Sequence, residues 1–244
     1  MRRLIALWLV GSLLLNGQTQ QIGPAIMIGP AAMGNPSGSI NPTVVQVCAS
    51  NNFSTSSTCT FGANITAGHT LWAITLTTAA SFTNAESGCG TWANVSSSGA
   101  IAAFIISIDK APIVATAACT MTSSIPGGSQ YITQLVWEVS GGANADGQNY
   151  SNASFCTSCT GPSVTPGSSG DLILDAVSNV SGTPTYSAIA IGALTTTVDK
   201  NGLVGGAAYS IMAHATQATA AAVTMTYTTS AGQNYPQIEL AIKP

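Results

Sequence analysis

Few residues in this chain are equipped for chemistry. The Glu residues are Glu86, Glu138 and Glu239, and the only imidazoles are His69 and His214. Cleavage of a glycosidic bond needs two carboxyl groups flanking it, one of them with a raised pKa. Glu138 and Glu239 are the pair to consider, with Glu86 as a substitute partner, because each of the two lies in an apolar run that closes one half of the chain. Their registers differ, however. Laying Gln134-Leu135-Val136 on Glu239-Leu240-Ala241 brings Glu138 onto Lys243. A glycoside hydrolase is therefore the alternative reading, and no residue is assigned a catalytic role. A nucleophilic triad has less support, since it needs a base within reach of its nucleophile. The nearest thing to a Gly-x-Ser-x-Gly elbow is Gly167-Ser168-Ser169-Gly170, in a turn. His69, in Ala67-Gly68-His69-Thr70, and His214, at the end of an apolar run, read as turn and strand-end polar residues. The same scarcity of His, and the lack of an Asp-x-Asp-x-Asp-Gly loop, leave no metal expected and no cofactor implied.

Binding is better served. Trp92, in Gly88-Cys89-Gly90-Thr91-Trp92, and Tyr150, after Gly147-Gln148-Asn149, place aromatic rings beside amides and hydroxyls. Sugars offer apolar CH faces and many hydroxyls, so an aromatic platform edged by Asn or Gln suits them. Trp92, Tyr150 and Asn149 are the candidate ligand-binding residues, and a polysaccharide or other glycan is the expected partner.

Six Cys, at Cys48, Cys59, Cys89, Cys119, Cys156 and Cys159, read as disulfides made in an oxidising compartment. Proximity pairs Cys48 with Cys59 and Cys156 with Cys159, leaving Cys89 for Cys119. The Cys156-Thr157-Ser158-Cys159 spacing would also serve a redox motif or half a zinc site, but no second close pair and no βαβ pattern accompany it. The N-terminus fits export. Arg2-Arg3, an apolar run from Leu4 to Leu15 and then Asn16-Gly17-Gln18 follow the three regions of a signal peptide over residues 1–17. About a dozen apolar residues fall short of the ~20 needed to span a bilayer, so no stable membrane span is expected after cleavage. The expected location is outside the cell or on its surface.

Only 5% of the residues are charged, and beyond Arg2 and Arg3 the basic groups are Lys110, Lys200 and Lys243. Nucleic-acid binding is excluded on this count, because it needs clustered Lys or Arg to neutralise phosphates. Six Asn-x-Ser/Thr sites, at Asn52, Asn64, Asn94, Asn149, Asn152 and Asn179, would matter in a eukaryotic secretory pathway.

The elements that must position these residues are strands. Residues 18–42 carry the repeat Ile22-Gly-Pro-Ala-Ile-Met27, Ile28-Gly-Pro-Ala-Ala-Met33, whose Gly and Pro density disfavours helix and central strand, and they read as a linker. From Thr43 on, short Val-, Ile- and Thr-rich runs alternate with turn residues. Strands are expected at 43–49, 58–61, 71–77, 101–108, 118–122 and 131–139, then at 163–164, 172–178, 207–213, 223–228 and 237–242. In the run from Tyr131 to Val139 the parity puts Leu135, Trp137 and Val139 on the core side. The halves echo one another: Ala118-Cys119-Thr120-Met121-Thr122 matches Ala222-Val223-Thr224-Met225-Thr226, and Asn64-Ile65-Thr66-Ala67-Gly68 matches Ser163-Val164-Thr165-Pro166-Gly167. The expectation is an all-β, two-sheet antiparallel sandwich, jelly-roll-like, built from two similar halves at about 43–141 and 155–244 within one domain, 43–244.

Val164-Thr165-Pro166-Gly167 running into Asp171-Leu172-Ile173-Leu174, and Trp137-Glu138-Val139-Ser140-Gly141 after an apolar strand, resemble the β-sandwich repeats of secreted bacterial and phage-associated proteins of unknown function, which are similar to concanavalin-type jelly rolls. The resemblance implies a fold and no activity. A third role follows from composition. A sandwich nearly devoid of charge lacks the edge Lys residues that discourage strand-to-strand pairing, so self-association into a surface layer or fibre is a further alternative.

Overall fold

The computed structural model describes residues 41–101, 103–179, 183–205 and 208–244. The signal peptide and nearly all of the linker lie outside these residues. The regular elements are all strands. The first half contains β1 (Thr43–Ser54), β2 (Ser56–Thr60), β3 (Thr70–Thr77), β4 (Thr83–Ser87), β5 (Ala93–Ser97), β6 (Ile105–Pro112), β7 (Thr120–Ser124) and β8 (Gln130–Ser140). The second contains β9 (Asn144–Val164), β10 (Asp171–Asn179), β11 (Tyr186–Ile191), β12 (Thr197–Gly205), β13 (Ala208–Gln217) and β14 (Val223–Lys243). Among the described residues no helix is long and apolar enough to cross a membrane.

The strand pairing repeats. The first half forms a large sheet in the order β1-β8-β3-β6-β5 and a small one in the order β2-β7-β4. In the second half β11-β14-β10-β13-β12 run in order, with β9 alongside β14. The far end of β14, Tyr235–Lys243, joins the start of β9 to β10, whereas its beginning, Val223–Thr228, pairs with the end of β9 and with β11. Each half thus has a five-strand layer and a three-strand layer. β9 does the work of β1 and β2 together, and β14 that of β7 and β8. All pairings are antiparallel, and the sheets are not closed.

Three apolar layers follow from strand parity. Trp72, Ile74 and Leu76 on β3, and Leu135, Trp137 and Val139 on β8, meet Leu172 and Leu174 on β10 and Ile238, Leu240 and Ile242 on β14 between the two large sheets. The opposite faces of the same strands turn outward to the small sheets. Leu71, Ala73 and Val136 pack with Cys59, Phe61 and Met121 in the first half. In the second half Ile173, Val177 and Ala241 pack with Met225, Tyr227 and Tyr235. β3 is buried at all eight positions because both of its faces are covered. The sandwich expected from the sequence is formed by the two large sheets, and each carries a smaller sheet on its outer face.

All three disulfides expected from proximity are formed, Cys48–Cys59, Cys89–Cys119 and Cys156–Cys159. Several strands depart from expectation. The run expected at 101–108 is split, since Ile101 and Phe104 exchange backbone hydrogen bonds across a tight reversal and β6 starts only at Ile105. The runs at 223–228 and 237–242 belong to one 21-residue strand. β4, β5, β11, β12 and all of β9 before Ser163 were not expected. Apart from the apolar β11, they are edge strands rich in Ser, Thr, Asn and Gly, whose pairing comes from neighbours rather than from their own apolar period.

Candidate functional site

At one edge of the first half the small sheet ends in β4 and the large sheet ends in β5. β5 is short and bulged between Asn94 and Ser96, so the two layers separate there. The opening is a groove of about 400 Å³ lined by Phe82, Asn84, Trp92, Asn94, Ser107 and Asp109 among others. Ser107 and Asp109 alternate with the buried Ile106 and Ile108 on β6, which puts the polar pair on the groove side.

Asp109 organises the floor. Its Oδ1 accepts from Asn94 Nδ2 at 3.0 Å, and its Oδ2 accepts from Asn84 Nδ2 at 2.9 Å and from Ser107 Oγ at 2.8 Å. Burial pushes its carboxyl above the usual range, against the downward pull of Asn94, Ser107 and Asn84. Behind it, Asn84 Oδ1 accepts from Ser123 Oγ at 2.5 Å, and the Gln134 amide lies 2.8 Å from both Ser123 Oγ and Ser50 Oγ. The two Asn amides are therefore fixed before any ligand arrives, which is the condition for a pre-organised polar site.

Trp92 forms the aromatic wall. It follows the turn Gly88-Cys89-Gly90, anchored by the Cys89–Cys119 bond. Both glycines have positive φ, and a Cβ would lie 2.2 Å from Ala118 O at Gly88 and 2.4 Å from Pro112 O at Gly90, so the turn admits no side chain at either position. The ring packs against the disulfide-bearing core. Its Nε1 is buried without a hydrogen-bond partner, whereas Trp72 Nε1 donates to Gly142 O at 3.2 Å and Trp137 Nε1 to Asp199 Oδ2 at 2.9 Å.

Of the three residues expected to bind ligand, only Trp92 lies in this groove. Tyr150 is not the open ring expected of a loop residue. It sits on β9 and packs into the layer between the large sheets, with its hydroxyl buried beside Ser96. Asn149 is on the other face of β9, its Nδ2 donating to Ser163 O at 2.9 Å and its Oδ1 accepting from Tyr150 N at 2.9 Å. Asn84, Ser107 and Asp109 escaped the sequence reading. The Ser107/Asp109 parity within an apolar run was the available signal.

The carboxylates considered for hydrolysis do not meet. Glu138 is fully buried, with Oε1 accepting from Thr66 N at 2.8 Å and lying 2.7 Å from His69 Nδ1, and Oε2 accepting from Gln46 Nε2 at 2.6 Å. Glu239 is fully buried in the second half, opposite Asp175. The two Glu residues face away from each other into separate outer cores, so no open groove lies between them. Glu86 belongs to β4, in register with Met121 of β7. His214 holds Asp199 through Nδ1 at 2.9 Å, and Asp199 also takes the Trp137 indole proton, a link between the two halves. A second cavity, of about 490 Å³, is lined by His214, Leu194 and three Thr. Among the described residues no hydroxyl hydrogen-bonds to the His214 ring.

The pair Asp175 and Glu239 is the second electrostatic feature. They are cross-strand neighbours on β10 and β14, and no side chain hydrogen-bonds to either carboxyl. Burial, then the neighbouring Asp175 carboxyl, pushes Glu239 up to about 9, with the Val164 backbone offsetting this in part, and burial raises Asp175 well above its ordinary value. Both side chains are fully buried, so their chemistry is internal.

Comparison with protein-family models, with curated proteins and with solved structures finds no match to this chain.

Proposed function

We propose that this is an exported β-sandwich protein that recognises glycans without cleaving them, and that the groove between β4 and β5 is the recognition site. The observation that carries the reading is the groove itself, in which Trp92 shares the lining with Asn84 and Asn94, whose amides are held on the buried Asp109 carboxyl. The ring offers an apolar face to a pyranose, and Asn84, Asn94 and Asp109 offer both donors and acceptors to its hydroxyls. Three disulfides fit an oxidising location outside the cell, as does the leader-like N-terminus. The likeness of the strand and turn motifs to secreted bacterial sandwich domains points the same way.

Self-association draws less support. The outer strands β1, β5 and β12 are each interrupted by a bulge, which breaks the row of unpaired backbone groups that a second copy would need.

The test is retention on a panel of insoluble polysaccharides, with Trp92→Ala and Phe155→Ala run beside the native protein. Phe155 is 74% exposed and lies outside the groove, so it controls for adhesion by an exposed ring. Retention lost in Trp92→Ala alone supports the site. No retention on any polymer, or equal loss in both variants, removes it.

A further inference from the structure

Among the described residues Asp109 has no counter-cation. Its three hydrogen-bond partners, Asn84, Asn94 and Ser107, are neutral, and no Lys, Arg or His lines the groove. Lys110, the next residue, projects to the opposite face of β6, as alternation requires. There its Nζ donates to Ala143 O at 2.8 Å, lies 3.3 Å from Asn144 Oδ1 and stands 5.8 Å from the Trp72 ring centroid. The salt bridges among the described residues are His69 with Glu138 and His214 with Asp199. A carboxylate accepts about four hydrogen bonds. The three at Asp109 leave one position on Oδ1, the oxygen that receives a single bond.

A carboxylate without a cationic partner, in a groove that also carries an indole ring, is complementary to a cation. An ammonium group brings three donors and no acceptor, is attracted by the face of Trp more than by other rings, and gains more from a carboxylate in a partly desolvated groove than in water. A neutral N-acetyl group brings a single donor and a carbonyl that Asp109 cannot pair. With charged residues only 5% of the sequence, little else on this surface competes for the cation.

We propose that the groove selects an amino-bearing glycan, with the sugar ring against Trp92 and its protonated amine against Asp109. The inference rests on the glycan reading and narrows it to sugars with a free amine. The groove then takes a glucosamine-type sugar in preference to its N-acetylated form or to a neutral hexose.

The experiment is calorimetric titration of the purified protein, at about physiological salt, with a glucosamine trimer, its fully N-acetylated counterpart and a glucose trimer. The expected result is a preference of about tenfold or more for the free amine, abolished in Asp109→Asn, with binding of every trimer lost in Trp92→Ala. Because Trp92→Ala keeps the net charge, binding of the amine that survives in it signifies general attraction to an acidic protein and overturns the proposal. Equal or tighter binding of the N-acetylated or glucose trimer also overturns it, and leaves the glycan reading standing. Binding of none of the three overturns the amine proposal, and the polysaccharide panel then decides the broader reading. The comparison of trimers on the native protein holds even where Asp109→Asn fails to fold, which near-ultraviolet circular dichroism reports.

Discussion

Replacing Glu239 by Gln isolates the buried acid pair in the second half. In the unfolded chain Asp and Glu titrate near 3.9 and 4.3, whereas in the fold Glu239 is pushed up to about 9 and Asp175 is raised well above its usual value. The folded state therefore binds more protons than the unfolded state between these limits. Stability from the pair is full below about pH 4 and is lost as pH rises toward the folded value. Each proton held only by the fold lowers stability by about 1.4 kcal/mol per pH unit. One such proton costs about 2.7 kcal/mol between pH 5 and 7 and two cost about twice that, a large part of a typical domain stability of 5–15 kcal/mol. Gln fills nearly the same volume, carries no titrating proton and offers an N–H to Asp175. Glu239→Gln should therefore flatten the pH slope by about 1.4 kcal/mol per unit and gain on the native protein steadily above about pH 5. The assay is urea unfolding from pH 5 to 8 with the disulfides intact. His69 and His214 contact other carboxyls, so the substitution leaves their surroundings unchanged. Native stability that is flat or rises across this range, or an unchanged slope in the variant, would refute the reasoning.

Three further outcomes follow from the geometry. Removing the Cys89–Cys119 bond, which closes 30 residues, should cost about 3.6 kcal/mol, against about 1.6 for Cys156–Cys159, which closes 3; paired Cys→Ala variants compared in denaturant melts give the order. Asp199→Ala strands the Trp137 indole proton in the interior and should destabilise by about 1–3 kcal/mol, whereas Asp199→Asn, which keeps an acceptor, should lose less by the same melt. Gly90→Ala forces a Cβ to within 2.4 Å of Pro112 O at a φ of 106°, so it should cost more than 1 kcal/mol, and by displacing Trp92 it should weaken polysaccharide retention more than Gly62→Ala, where the added Cβ meets nothing within 4 Å.

The parity of β8 was legible because one of its faces meets the central core and alternation survives in Leu135, Trp137 and Val139. The register offset between Glu138 and Glu239 was legible for the same reason. Gln134 and Glu239 occupy matching places, opposite Thr75 on β3 and Asp175 on β10, while Glu138 and Lys243 come four residues later on their strands. β9 was hidden. Residues 144–158 are rich in Asn, Ser and Ala and carry no period of their own, and their strand form comes from pairing along β14. That pairing also turned Tyr150 from an expected loop residue into one packed between sheets. In the groove, Trp92 stood out by type and context. Asn84 did not, because its role depends on a contact with Asp109, 25 residues away, that only the folded chain creates.

The four Trp of the chain offer the most direct test of the recognition site, through the indole N–H signals in a nitrogen–proton correlation spectrum recorded as glycan is added. Trp72 and Trp137 already donate to Gly142 and Asp199, so their signals should hold still. The signal absent from Trp92→Ala should move and saturate with the ligand. A spectrum in which that signal stays fixed while the protein is demonstrably bound to glycan would contradict the assignment of the groove.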